Sequence, residues 1–313
     1  MQDTRREKII GTWYAVGAFI VWGLIPLYFK TLTQVPSMQM LAHRIFWTFL
    51  FVSILISLKN RWPEMRKIFS PQKNKVMSLL SALAISTNWM VFIIAVNTNH
   101  IVETSMGYFI NPLLNVLLGT VFLKERLKFW HIVSVFLALI GVSYMTFQYG
   151  KIPWIALSLA LSFGFYGLLR KISHVDSLLG LSAETAILSP FALYYLVTQR
   201  IHGTGVFAAA SLITHLLLIG SGVVTAIPLL CFVHAARRIP LSTVGFIQYL
   251  APSLHLFLGV IVFKEPFTTS HILGFGFIWS ALIIYSLSHT PFMQNPGQHR
   301  LKDAEENQIS AKY

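Results

Sequence analysis

Ten apolar runs, each near the ~20 residues that cross a bilayer core, limit what this chain can fold into. They lie near residues 9–29, 37–58, 76–97, 101–123, 129–148, 153–170, 178–198, 211–234, 241–263 and 269–288. The runs are continuously apolar rather than alternating, so they predict membrane-spanning helices and exclude a β-barrel. Charged residues make up 11% of the chain, against about 25% in soluble domains, too few to cover a water-facing surface. The net charge of +13 does not point to nucleic acid, because the basic residues fall in short clusters between apolar runs. A single cysteine, Cys231, excludes an intrachain disulfide. The first run is long and many others follow it, so it reads as a span rather than a cleavable signal.

The fourth and ninth runs are copies. A shift of 140 residues without gaps lays 112–132 on 252–272, with eight of 21 positions identical, including Pro112/Pro252, Gly119/Gly259 and Lys124-Glu125/Lys264-Glu265. A repeat of this period divides the chain into homologous halves, 9–148 and 153–288, flanked by a polar start (1–8) and a polar tail (289–313). Five spans per half is an odd number, so the second half enters the membrane inverted relative to the first.

Orientation follows from the basic residues between spans. Nineteen of the 24 Lys and Arg fall in the termini and alternate loops of one side. The other side holds Lys30, Lys151, Arg200 and Lys264, and Arg44 lies within a span. This bias predicts both termini in the cytoplasm.

Span 4 carries a polar stripe, Thr104, Tyr108, Asn111, Asn115 and Gly119, at helical spacing. Span 9 answers with Gln248, Ala251, His255 and Gly259. At 1.5 Å per residue, Asn111 and Asn115 lie about 15–21 Å into a ~30 Å core. Polar groups at that depth are expected to face the bundle interior. Pro112 and Pro252 should leave the carbonyls of Tyr108 and Gln248 free as further acceptors. Asn88 lies at similar depth, and Trp22 and Trp89 offer aromatic walls. The same groups also suit hydrogen bonding between packed helices, and both uses remain open. His255, near the midplane, suits either a proton carrier or a fixed hydrogen-bond partner. The other span histidines, His43 among them, read as interfacial. No pair has His-x-x-x-His spacing, and no metal site is expected.

Two charges fall well inside spans, Arg44 and Glu184, separated by the repeat offset itself. About 11 Å of depth separates them, counting rise per residue, so local partners are expected. Arg44 should reach Glu103 at the start of span 4, and Glu184 should reach His234, Arg237 or Lys171. Such pairs would be structural, or would act in gating or in binding an ionised molecule.

Four further stretches carry a resemblance. They are His43-Arg44-Ile45-Phe46-Trp47; Asn88-Trp89 with Ala95-Val96-Asn97; Gly107 to Leu113 (GYFINPL); and Ala235 to Pro240 (AARRIP) followed by Leu241-Ser242-Thr243. With Trp22-Gly23 and the two Lys-Glu pairs, they resemble the RarD-type proteins of the EamA branch of the drug/metabolite transporter superfamily. The resemblance spans nearly the whole chain. It implies an all-α polytopic fold of ten helices in two inverted five-helix repeats, and a permease of the bacterial inner membrane that exports small metabolites. It implies no cofactor.

The expectation is therefore a secondary transporter for a small organic molecule, with the lipid bilayer as its other partner. A single chain is enough to build that path; whether chains associate is left open. A channel or a membrane scaffold is the alternative. A membrane-embedded enzyme fits least, because the chain lacks His-Glu-x-x-His, Gly-x-Ser-x-Gly and an intramembrane carboxylate pair.

Overall fold

The computed structural model describes residues 2–69, 72–124, 129–150, 152–173, 175–236, 238–239 and 247–288. All regular structure among them is helical: α1 (Gln2–Lys30), α2 (Ser37–Leu58), α3 (Trp62–Ile68), α4 (Gln72–Asn97), α5 (Ile101–Leu123), α6 (Phe129–Tyr149), α7 (Trp154–Ser173), α8 (Ser177–Ile201), α9 (Val206–Ala209), α10 (Leu212–Ala236), α11 (Leu250–Phe257) and α12 (Thr269–Leu287). A π-helical turn, Leu258–Val262, continues α11. Nine of the described helices are long and apolar enough to cross a bilayer. The expected span 241–263 is represented by the shorter apolar stretch Leu250–Val262; its first residues, 241–246, lie outside the described set, as do Glu125, Arg237 and the tail 289–313. Helices are the expected solution in lipid, where each satisfies its own backbone polar groups.

The helices gather into two compact units. The first comprises Met1–Asn111 and Pro153–Phe267, the second Pro112–Ile152 and Thr268–Tyr313. In the first, α2 packs on α8 and α10, α1 on α10 and α11, and α4 on α7. Phe29, Met40, Ile56, Ile93, Leu159 and Leu218 are fully buried there. Helices α2 and α10 approach closely at Gly222, where a Cβ would lie 2.4 Å from the carbonyl carbon of Trp47. In the second unit, α6 packs on α12.

The 140-residue shift also relates whole elements. It carries Ser37, the start of α2, onto Ser177, the start of α8, and Phe129 of α6 onto Thr269 of α12. It turns the packed pair α1·α10 into α7·α4. Lys124 and Lys264, each ending its copy of the repeated helix, share the left-handed conformation, with φ of 56° and 57°.

Loops expected on one side of the membrane meet one another. Arg61, after α2, pairs with Asp176 at 3.2 Å and with Glu64 at 2.7 Å. Arg238 pairs with Glu7 at 2.9 Å. Asp176 also caps α8 by accepting from the Leu178 amide. Partial burial raises the Asp176 pKa, but Arg61 and the α8 amides outweigh it and leave the carboxyl below its ordinary range. At the other helix ends, Gln39 donates to the Thr204 carbonyl and accepts from the Val206 amide, both at 2.9 Å. Lys30 donates to the Asn99 side chain.

Candidate functional site

The polar residues of α4, α5 and α11 meet inside the first unit. Asn88, buried on α4, donates through Nδ2 to the Leu159 carbonyl and to Ser162 Oγ, each at 3.1 Å, both on α7. Its Oδ1 accepts from the Tyr108 hydroxyl at 3.3 Å. The Tyr108 ring lies 5.6 Å from His255, 6.2 Å from Phe163 and 6.4 Å from Phe92. His255 is buried, with Nε2 3.1 Å from the Trp22 carbonyl and Nδ1 3.3 Å from Thr104 Oγ1. A carbonyl only accepts, so Nε2 carries a proton. One imidazole thus ties α11 to α1 and α5. Of the two uses open to His255, these are the contacts of a fixed hydrogen-bond partner.

Glu265, absent from the sequence-based set, adds a further link between α5 and the repeated segment. Its carboxylate accepts from the Ile101 and Val102 amides, each at 2.8 Å, and so caps the N-terminus of α5. Gly259 makes this approach possible: a Cβ there would meet Val102 Cγ2 at 2.8 Å and its amide nitrogen at 3.1 Å. Ser105 completes the seam by donating to the Pro252 carbonyl at 2.7 Å. The signal for Glu265 was its place in the repeat, opposite Glu125.

Arg44 is buried but does not pair with Glu103. Its Nε donates to Thr225 Oγ1 on α10 at 2.9 Å, and its Cζ lies 4.5 Å from the Trp89 ring and 5.1 Å from that of Phe29. Nη1 has no hydrogen-bond partner. Counting residues along a helix gives depth but not direction around the axis, and Arg44 turns into the bundle. Glu103, in the first turn of α5, is half-buried with Oε2 unpartnered. Glu184 is partnered, though not by His234 or Lys171; the expected Arg237 lies outside the described side chains. Arg170 stands 3.6 Å away, Ser81 donates at 2.5 Å and Tyr166 at 3.4 Å. Arg170 precedes Lys171 by about 100° of helical turn, and that step brings it to the carboxylate.

The remaining expected residues divide. Trp89 is buried against Arg44, and Trp22 is half-buried against Phe19 and Phe232. Asn111 is buried with Oδ1 unpartnered. Asn115, beyond Pro112 in the second unit, is exposed, and Gly119, the next residue of the stripe, is buried. Gln248 is half-buried, and its carbonyl is not free: it accepts from the Ala251 amide at 3.3 Å.

His43 is buried within the protein, with the Phe207 ring of α9 5.0 Å from its imidazole. It borders an open recess of about 510 Å³ between α2, α8 and α10, which contains none of the expected site residues. Among the described residues, no three His, Cys, Asp or Glu side chains converge on a common point that could hold a metal.

Comparison with known proteins gives a consistent result. The model of the EamA-like transporter family matches residues 9–147. An uncharacterized transporter of Vibrio cholerae is 44% identical over 92% of this chain and 95% of its own. The uncharacterized transporter YojE of Bacillus subtilis is 43% identical over 96% of this chain and all of its own. Protein RarD of Escherichia coli is 41% identical over 88% of this chain and 93% of its own. A solved structure shares the fold with a TM-score of 0.57 at 17% identity, covering 90% of this chain and 98% of that one.

Proposed function

Because the chain belongs to the RarD-type branch of the EamA-like transporter family, we propose that it carries a small organic molecule across the cytoplasmic membrane by alternating access. That it is a multi-pass membrane transporter of the drug/metabolite type follows from the family and the apolar helices. The finer reading rests on the buried Asn88 and His255 around the half-buried Tyr108, and on the buried Arg44, all set among helices that lipid would otherwise keep apolar.

Two inverted repeats supply the moving parts. Glu265 meets the N-terminal end of α5, while Lys124 follows the last residue of α5, an arrangement that supports inversion of the copies. The symmetric pairing of α1·α10 with α4·α7 supports halves that exchange shapes. The lysine and arginine bias supports both termini in the cytoplasm.

The experiment pairs metabolite profiling with reconstitution. Compounds that differ between deletion and overexpression cells are offered to proteoliposomes containing the purified protein. A carrier gives saturable counterflow, uptake of label driven by unlabelled compound inside. A flux that never saturates and shows no counterflow would indicate a channel, and no flux of any compound would indicate a scaffold.

A further inference from the structure

Arg44 and Glu184 occupy matching repeat positions, yet only one has a countercharge. Glu184 is held by Arg170, Ser81 and Tyr166. Arg44 is 5% exposed and has a threonine, two aromatic rings and an unpartnered Nη1. No carboxylate among the described residues lies within ion-pair distance of it. A guanidinium desolvated without a countercharge is costly in a low-dielectric interior. Apolar residues would fill the same volume without that penalty.

We propose that Arg44 binds the anionic head of the transported molecule, and that this molecule is a small organic monocarboxylate. The proposal rests on the transport reading above. The Trp89 ring lies 4.5 Å from the guanidinium carbon, Thr225 takes Nε, and Nη1 remains unpartnered. The guanidinium's terminal nitrogens match the two oxygens of a carboxylate in a planar fork. Thr225 orients the group: its own hydroxyl donates to the Ser221 carbonyl at 2.7 Å, leaving a lone pair for Arg44 Nε. A single cation balances one negative charge, which favours a carboxylate over a phosphate dianion. Around Arg44 the surroundings are apolar: the Phe29 and Trp89 rings lie within 5.1 Å of its guanidinium carbon, which suits an anion carried on an apolar body.

The test uses full-length protein in detergent and benzoate as the probe. Labelled benzoate is expected to bind saturably by equilibrium dialysis, with neither benzamide nor chloride competing at equal concentration. Arg44→Gln should weaken binding at least about tenfold. Arg44→Lys should weaken it less, keeping the charge without the fork. Thr225→Val, nearly isosteric, should weaken it severalfold even if both arginine variants fail to fold. Absence of saturable binding, equal competition by chloride, or unchanged affinity in the variants would overturn the proposal. Binding without counterflow would count against transport and leave the anion site standing. Counterflow of a neutral compound, unaltered by Arg44→Lys, would do the reverse.

Discussion

Glu265 reaches Val102 across 163 residues of chain, its Oε2 2.8 Å from the amide nitrogen, while Oε1 takes the neighbouring Ile101 amide. The first turn of a buried helix leaves amides without partners, and a carboxylate there answers both the hydrogen bonds and the helix dipole. Glu265→Ala should therefore lower stability by about 1–2 kcal/mol, the range for losing a helix cap. Gly259→Ala should cost a similar amount or more, because the added methyl meets the Val102 amide. Thermal melts in detergent check both. An unchanged midpoint for Glu265→Ala would remove the cap from the account.

The Asn88 network separates positioning from surface chemistry. Asn88→Ala removes the Tyr108, Ser162 and Leu159 contacts at once, and His255→Ala removes the Trp22 contact on α1 and the Thr104 contact on α5. Each should leave a membrane-inserted protein whose counterflow falls at least about tenfold, as expected when a hydrogen-bonded site loses its geometry. Asn115→Ala, at an exposed position, should change transport little. The reverse ranking would mean that the stripe beyond Pro112 carries the function.

The Arg61–Asp176 contact gives a pH signature outside the spans. The Asp176 carboxyl is held below its ordinary range, so the folded state favours its ionised form. Its contribution to stability is present above the unfolded value, near pH 4, and disappears as pH falls through the lower folded value. Asp176→Asn should therefore lower the melting temperature at pH 7, with a difference that shrinks on acidification. A difference that stays constant down to pH 3 would assign the effect to packing instead.

Topology follows from the inverted copies. Reporter fusions after Asn74 and Arg126 should report cytoplasm, and fusions after Asn99, Gly203 and Lys264 the outside. Arg126 and Lys264 on one side would contradict inversion.

Much of this architecture was legible in the residues. Long apolar runs marked the helices, and the Lys124/Lys264 repeat returned as matching left-handed backbone. Partners were less legible. Sequence spacing fixes the height of Arg44 in the membrane but not which neighbour it faces, so Thr225 and Trp89 were missed and Glu103 was expected. Arg170 was missed by one residue, a turn of about 100°. The role of Glu265 was not legible, because its amide partners lie in the other half of the chain.

Alternating access is tested most directly at Ser162, which contacts Asn88 and accepts a near-isosteric Ser162→Cys change in a Cys231→Ser background. A membrane-impermeant thiol reagent is applied to right-side-out and to inside-out vesicles. The account predicts labelling from both sides, slowed in each case by a transported compound. Labelling from neither side, or from one side only under every condition, would contradict it.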